Sequence, residues 1–404
     1  MGTRTRRMAL GAVLSLGLVG IIPGVAFAAQ PVCGQSITSN TTLTANLDCS
    51  GFGGNGLIFG ANGIVLDLNG HTITGWTGDD SYYGVYTNGY NHVVVKNGTI
   101  RGFEINVYSY YTSNSKFKKL SLIGEAADPY DSGVYSYYGA GNVYNKLTTS
   151  DVYYGMDMYG GASHQVLNST FTSDTYGVYS EYESGDLFKG NVTHSAQYGF
   201  YDDYSGNNRY VGNTANGGSS DGFYMDCSDY GRVTLINNIA NDNGGYGFYL
   251  YYCKEENTTQ MLGSWVSGNT AKRNGSDGFY AEYSDNSTFQ YNIAKRNGGD
   301  GFYDYYNIGS TWMYNTSTRN DDEGFEMQYP TNYVVKYNIA NYNGGDGFYL
   351  YENYSTSYYN LKSFSNNSAN NNDSWGHYAD YGAPGKGNTA SGNGSGKCYN
   401  VVCK

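Results

Sequence analysis

The chain has 404 residues, 14% of them charged, and its 35 Asp and Glu against 23 Lys and Arg leave a net charge of −12. A surface of this sign repels nucleic acid and anionic membranes, which leaves neutral ligands, cations, or anions bridged by a cation. Abundant glycine (58 residues) and 39% hydrophobic content would suit a disordered chain, yet 47 tyrosines supply apolar area that a packed core can bury.

Residues 1–28 read as a secretory signal peptide. Arg4, Arg6 and Arg7 make the positive start, Met8 to Ile22 the apolar run, and Ala26-Phe27-Ala28 the small residues at the cleavage point. The mature chain is therefore expected to start near Ala29, outside a bacterial cell. Losing the three leader arginines leaves 35 acids against 20 Lys and Arg, a net −15. The apolar run is short for a bilayer span, and no later run approaches about 20 residues, so no membrane span is expected. Six cysteines in an exported chain predict disulfides. The expected pairs are Cys33–Cys49 in an N-terminal cap over residues 29–49, Cys227–Cys253 in the body, and Cys398–Cys403 in a C-terminal cap or tail over residues 391–404.

Between these ends, residues 50–390 repeat one phrase: "NNIANDNGGYGFYLYY" from Asn237, "YNIAKRNGGDGFYDYY" from Tyr291 and "YNIANYNGGDGFYLYENY" from Tyr337. The glycine of "GFY" recurs at Gly199, Gly222, Gly247, Gly278, Gly301, Gly324 and Gly347, with looser copies at Gly84, Gly133, Gly155, Gly177 and Gly376. Most steps are 22 or 23 residues. Nine residues earlier stands an asparagine, at Asn168, Asn213, Asn238, Asn269, Asn292, Asn315, Asn338 and Asn367, while Asn191 stands eight before its glycine. A fixed period in the twenties means a solenoid. Gly, Asn, Ser, Thr, Tyr and Val favour short strands and tight turns, so the expected fold is all-β: a single-stranded right-handed parallel β-helix of about 14 coils, about 65 Å long. The asparagines are expected to stack at turns, hydrogen-bonding one another and tolerating left-handed backbone. A monomer is expected.

Alternation then sorts the strand after the glycine. The first residue is apolar in copy after copy, from Val85 to Phe348, and faces inward. The second faces outward and is tyrosine in eleven of thirteen copies, including Tyr179, Tyr201, Tyr224, Tyr249, Tyr280 and Tyr303. These six form the expected substrate-binding column, with sugar C–H faces stacked on the rings. Asp202 and Asp304 fall on inward positions, where either the strand ends or a buried partner waits.

The opening coils, "VCGQSITSNTTLTANLDCSGFGGNGLIFGANGIVLDLNGHTITG" (Val32 to Gly75), resemble those of secreted bacterial β-helix repeat proteins grouped with the copper-associated NosD family, within the pectate-lyase-like superfamily. The resemblance implies that architecture for nearly the whole mature chain and leaves activity open, since the superfamily holds lyases, hydrolases, epimerases and members without known activity. Copper is not expected, because His71, His92, His164, His194 and His377 are scattered. Mannuronan epimerases carry a "DPH" core; here "ADPYD" keeps Asp128 and Pro129 but has Tyr130 in place of the histidine. Lyases of this superfamily use an Arg or Lys base beside Ca²⁺ held by carboxylates. Glu181, Asp203 and Asp226, each four after its glycine, are expected to stack as an acid column and are the candidate Ca²⁺ ligands. Asp203, Asp226 and Arg232 are the candidate catalytic set, with Arg209 and Arg232, each ten after a glycine, expected to stack on a neighbouring face. Three functions follow: binding of extracellular polysaccharide on the tyrosine column, Ca²⁺-dependent lyase or epimerase action, or a structural rod of an envelope or coat.

Overall fold

The computed structural model describes residues 30–75, 82–124, 130–173, 175–194, 197–228, 231–255, 262–351 and 361–404. The expected signal peptide, and Asp128 and Pro129 of the insertion, lie outside the described residues. Those residues form strands and corners without a helix, in a parallel β-solenoid of about 14 turns. No described helix is long and apolar enough to cross a membrane.

Most turns have three short strands, while three early turns join the last two into one of eight residues (Val94–Arg101, Lys116–Ile123 and Val143–Ser150). Phe302–Tyr305 is followed by Thr311–Met313 and Thr316–Thr318 before Phe325–Gln328 begins the next turn. Every strand pairs in parallel with its equivalent one turn on: Phe302 with Phe325, Trp312 with Val335, Ser317 with Ala340. Three faces result, here called the tyrosine face, the second face and the third face. Longer turns keep this register. Between Tyr251 and Trp265 the chain carries extra residues, yet Phe248 still meets Phe279, Leu235 meets Val266 and Ala240 meets Ala271.

The inward residues stack along the axis. Phe200, Phe223, Phe248, Phe279, Phe302, Phe325 and Phe348 are 0–1% exposed, with ring centroids 4.6–4.9 Å apart. Burying each such ring is worth about 1.5–3 kcal/mol. Alanines of the third face (Ala240, Ala271, Ala294) close the opposite side. They explain the repeated glycine. A Cβ on Gly247 would lie 2.6 Å from the Gly278 carbonyl oxygen and 2.7 Å from the Ala271 Cβ, so close approach, not a turn, demands glycine there.

The asparagine column is a ladder inside the wall. Asn292 Oδ1 accepts the Asn269 backbone N–H (2.9 Å) and Nδ2 (3.1 Å), while Asn292 Nδ2 donates to Val266 O (2.9 Å) and Asn315 Oδ1 (3.0 Å). The left-handed residue is the one before the ladder, such as Tyr291 (φ 55°) or Gly268 (φ 69°), and not the asparagine itself. Asn168 is misplaced by the nine-residue spacing: it takes the left-handed position (φ 49°), and Ser169 occupies the ladder beside Asn191. A second ladder, unexpected from the sequence, runs through Asn243, Asn274, Asn297, Asn320, Asn343 and Asn372 at the corner before the glycine.

The disulfides join Cys33 to Cys49, Cys227 to Cys253, and Cys398 to Cys403. The solenoid starts earlier and ends later than the expected bounds. Gln35–Ile37, Thr41–Thr42 and Leu47–Asp48 pair with the following turn, so most of residues 29–49 is itself a coil, and Gly396–Cys403 pairs with the preceding strand. An end coil exposes unpaired backbone, and a disulfide lies within each of the first and last described coils. The inward acids have buried partners: Asp202 takes two bonds from Asn208 Nδ2 (3.0 and 3.2 Å), and Asp304 accepts from Trp312 Nε1 (3.2 Å) and Asn307 Nδ2.

Candidate functional site

The tyrosine face carries three outward columns. In the middle one Tyr179, Tyr201, Tyr224, Tyr249, Tyr280 and Tyr303 are in direct register, with centroids 4.4–5.5 Å apart and planes within 30° of parallel. Near-parallel rings this close cannot lie side by side in one plane; they must overlap face to face. The faces are thus spent on neighbouring rings, which contributes about 0.5–1.5 kcal/mol per pair. What points away from the wall is a row of ring edges and hydroxyls, not the flat platform expected from the sequence. Burial raises the pKa of these phenols, Tyr224 to about 12, so they stay neutral donors.

More tyrosine files run beside it. Tyr154, Tyr176 and Tyr198 stack before the glycine (5.2 and 5.4 Å), and Tyr110, Tyr137 and Tyr159 stack two residues after the middle column (5.7 and 5.6 Å). Tyr283, Tyr306 and Tyr329 stack at the corner, in left-handed backbone. Part of their signal was present as "YG" pairs at Tyr154, Tyr176 and Tyr198 and as "YY" pairs at Tyr110, Tyr137 and Tyr305.

Carboxylates alternate with tyrosines in the file two residues after the middle column: Tyr159, Glu181, Asp203, Asp226, Tyr251, Glu282 and Tyr305. Glu181 pairs with Asp203, and Asp226 stands at the same position one turn on. Burial, then Asp226 and Glu181, pushes Asp203 up to about 6. Hydroxyls bracket the column: Tyr179 donates to Glu181 Oε2 (3.2 Å), and Tyr249 and Tyr280 both donate to Glu282 Oε2 (3.4 Å each). Asp226 is engaged locally, accepting from Ser228 N (2.9 Å) and Oγ (2.5 Å).

Two acids interrupt the tyrosine column and were not singled out by sequence: Asp157, between Tyr135 and Tyr179, and Glu326, between Tyr303 and Tyr349. Burial, then Glu181, pushes Asp157 up to about 7. Asp300, Glu323 and Glu326 bring carboxylate oxygens within 4.8 Å of one another, whereas Glu181, Asp203 and Asp226 are not such a group. Proton sharing meets the repulsion there. Burial, then Asp277 and Glu326, holds Asp300 well above its ordinary range. The aspartate before the glycine also serves the backbone: Asp277 accepts Asp300 N–H and Asp300 accepts Glu323 N–H, both at 2.7 Å. The "GDG" phrase carried that signal.

The arginines do not stack. Arg209 pairs with Leu187 and Thr234 on the second face, which leaves Arg232 two residues out of register. The turn that starts at Gly222 holds two more residues between its glycine and Thr234 than the preceding turn holds between Gly199 and Arg209. Among the described residues no ion pair joins Arg232 to Asp203, Asp226 or Glu181.

The profile of the family described as "Right handed beta helix region" matches residues 125–260 and 263–400, and the chain belongs to that family. Its fold is similar to the A-module of the Azotobacter vinelandii mannuronan C-5 epimerase AlgE6, at 15% identity and TM-score 0.45 over 85% of this chain and 91% of that one. It is similar also to the periplasmic alginate epimerase AlgG (15%, TM-score 0.41, 87% and 78%). A third similar structure is the catalytic unit of an alpha-1,3-glucanase from Streptomyces thermodiastaticus (13%, TM-score 0.43, 84% and 60%). No curated protein sequence matches.

Proposed function

We propose that this is an exported β-helix protein that holds a linear polysaccharide along its tyrosine face. The observation that carries this reading is the middle column: one tyrosine per turn from Tyr179 to Tyr303, in register, with hydroxyl edges outward and carboxylates beside it at Glu181, Asp203, Asp226 and Glu282. A strand spacing of about 4.8 Å repeats the tyrosine hydroxyl at close to the length of one sugar residue. Three disulfides fit an oxidising compartment outside the cytoplasm.

Retardation of the mature chain in polysaccharide-loaded gels tests this. Replacing Tyr201, Tyr224 and Tyr249 together with Phe keeps the ring stack and removes three hydroxyls; replacing them with Ala removes both. Loss of retardation in both variants supports hydroxyl-edge binding. Full retardation in the Ala variant would show that the ligand sits elsewhere. The lyase or epimerase reading on Asp203, Asp226 and Arg232, with Ca²⁺ on Glu181, Asp203 and Asp226, has its own arm. New unsaturated-uronate absorbance from alginate or pectin with Ca²⁺ would support it, and no product would count against it.

A further inference from the structure

Lys and Arg are sorted off the tyrosine face. From Tyr83–Tyr86 to Phe348–Tyr351, no strand of that face contains Lys, Arg or His. The same strands carry Asp157, Glu181, Asp203, Asp226, Glu282 and Glu326. The chain does have cations, but they stand on other faces: Lys272 and Lys295 on the third face, Arg209 and Lys336 on the second. Acid and base meet on other faces, as Lys96 with Asp67 (2.9 Å) and Arg273 with Asp242, or at the corner beside the face, where Lys254 pairs with Asp285 (3.2 Å) over the Tyr252 ring. Among the described residues no ion pair reaches Asp157, Glu181, Asp203, Asp226, Glu282 or Glu326. A polymer of uronates would add like charge to a row already short of cations, a cost at each turn that carries one of these acids. A polymer with one ammonium group per sugar supplies what the row lacks. Its even spacing lets successive ammonium groups meet Glu181 and Asp203, in register one turn apart, and a later one meet Glu282, which the irregular charges of a basic protein do less well.

We propose that the polysaccharide held on this face is a polycation of amino sugars, with its ammonium groups against Glu181, Asp203 and Glu282 and its hydroxyls against the tyrosine edges. This rests on the reading of the face as a polysaccharide site and specifies its ligand.

The test is calorimetric titration of the mature chain with four oligomers of equal length: β-1,4-linked glucosamine, its N-acetylated form, a neutral glucan, and oligogalacturonate with and without calcium chloride. The glucosamine oligomer should bind at least tenfold more tightly than each of the others, and added salt should weaken it. The pair Glu181→Gln and Asp203→Asn should cost at least tenfold. The pair Asp48→Asn and Asp373→Asn, which removes equal charge elsewhere, should cost less than twofold. Equal losses from the two pairs would mean attraction to net charge and would overturn the assignment to this face. Tighter binding of the N-acetylated, neutral or calcium-bridged uronate oligomer would overturn the amino-sugar assignment and leave a polysaccharide face in place. Binding of none of them would remove both.

Discussion

Two stretches of the solenoid solve the same problem with different side chains. From Asn238 to Asn367, each wall corner carries an asparagine whose Oδ1 accepts the backbone N–H of the turn before. Around residues 161–186, on another corner, the same service is done by His164, Glu183 and Asp186. His164 Nδ1 accepts Asn142 N–H (3.2 Å), Glu183 Oε1 accepts Gly161 N–H (2.8 Å), and Asp186 Oδ1 accepts His164 N–H (2.7 Å). The difference lies in what is left over. An amide both donates and accepts, so each asparagine finds its partner in the next one. A carboxylate only accepts. His164 Nε2, Glu183 Oε2 and Asp186 Oδ2 are buried without a hydrogen-bond partner, and His164 Nε2 stays 3.8 Å from Glu183 Oε2. Burial, then Asp186, holds Glu183 well above its ordinary range; burial pushes Asp186 up to about 7 and His164 down to about 4. The amide ladder is indifferent to pH, whereas the acid corner is not.

The largest effect should come from breaking the ladder. Asn292→Ala orphans the groups that Asn292 serves on both sides, at about 1–3 kcal/mol each before water enters, so urea denaturation should show a loss of about 4 kcal/mol. A loss below about 1 kcal/mol would mean that the ladder is ornamental. Next comes the Cys227–Cys253 bond, which links adjacent turns at the acid corner's side of the wall across 26 residues. Replacing both cysteines with Ser should cost about 3 kcal/mol, and a much smaller loss would show the turns hold each other without it.

Glu183→Gln sharpens the contrast further, because it converts an acid corner into an amide one. The new Nε2 can donate to Asp186, so the variant should gain about 1 kcal/mol at pH 8 and almost nothing at pH 5. The sign follows from linkage. Glu183, Asp186, Asp157 and Asp203 have folded pKa values above their unfolded ones, so the folded chain holds protons that the unfolded chain has released. Stability then falls as pH rises from about 4 through about 7. His164 and His377, both pushed down to about 4 by burial, act oppositely between about 4 and 6.5, but they are outnumbered. The melting temperature should therefore rise as pH drops from 8 to 5. A flat profile would mean that the buried acids reach water. The smallest change should be Tyr224→Phe alone, which leaves the stack of 4.4 and 5.0 Å intact and should leave the melting temperature within error.

The period of the sequence determined which residues lie over which, because parallel pairing repeats whatever spacing the chain repeats. It therefore sufficed to put Phe248 over Phe279 inside, Tyr249 over Tyr280 outside, and Glu181 over Asp203. Only the folded chain decided how those side chains are turned. The overlap of the rings follows from the short rise between turns, which hides their faces and leaves edges and hydroxyls. The offset of Arg232 follows from where a long turn stores its extra residues, which counting from a glycine cannot reveal. The convergence of Asp300, Glu323 and Glu326 joins two neighbouring columns and two turns, a diagonal relation that no single repeat contains.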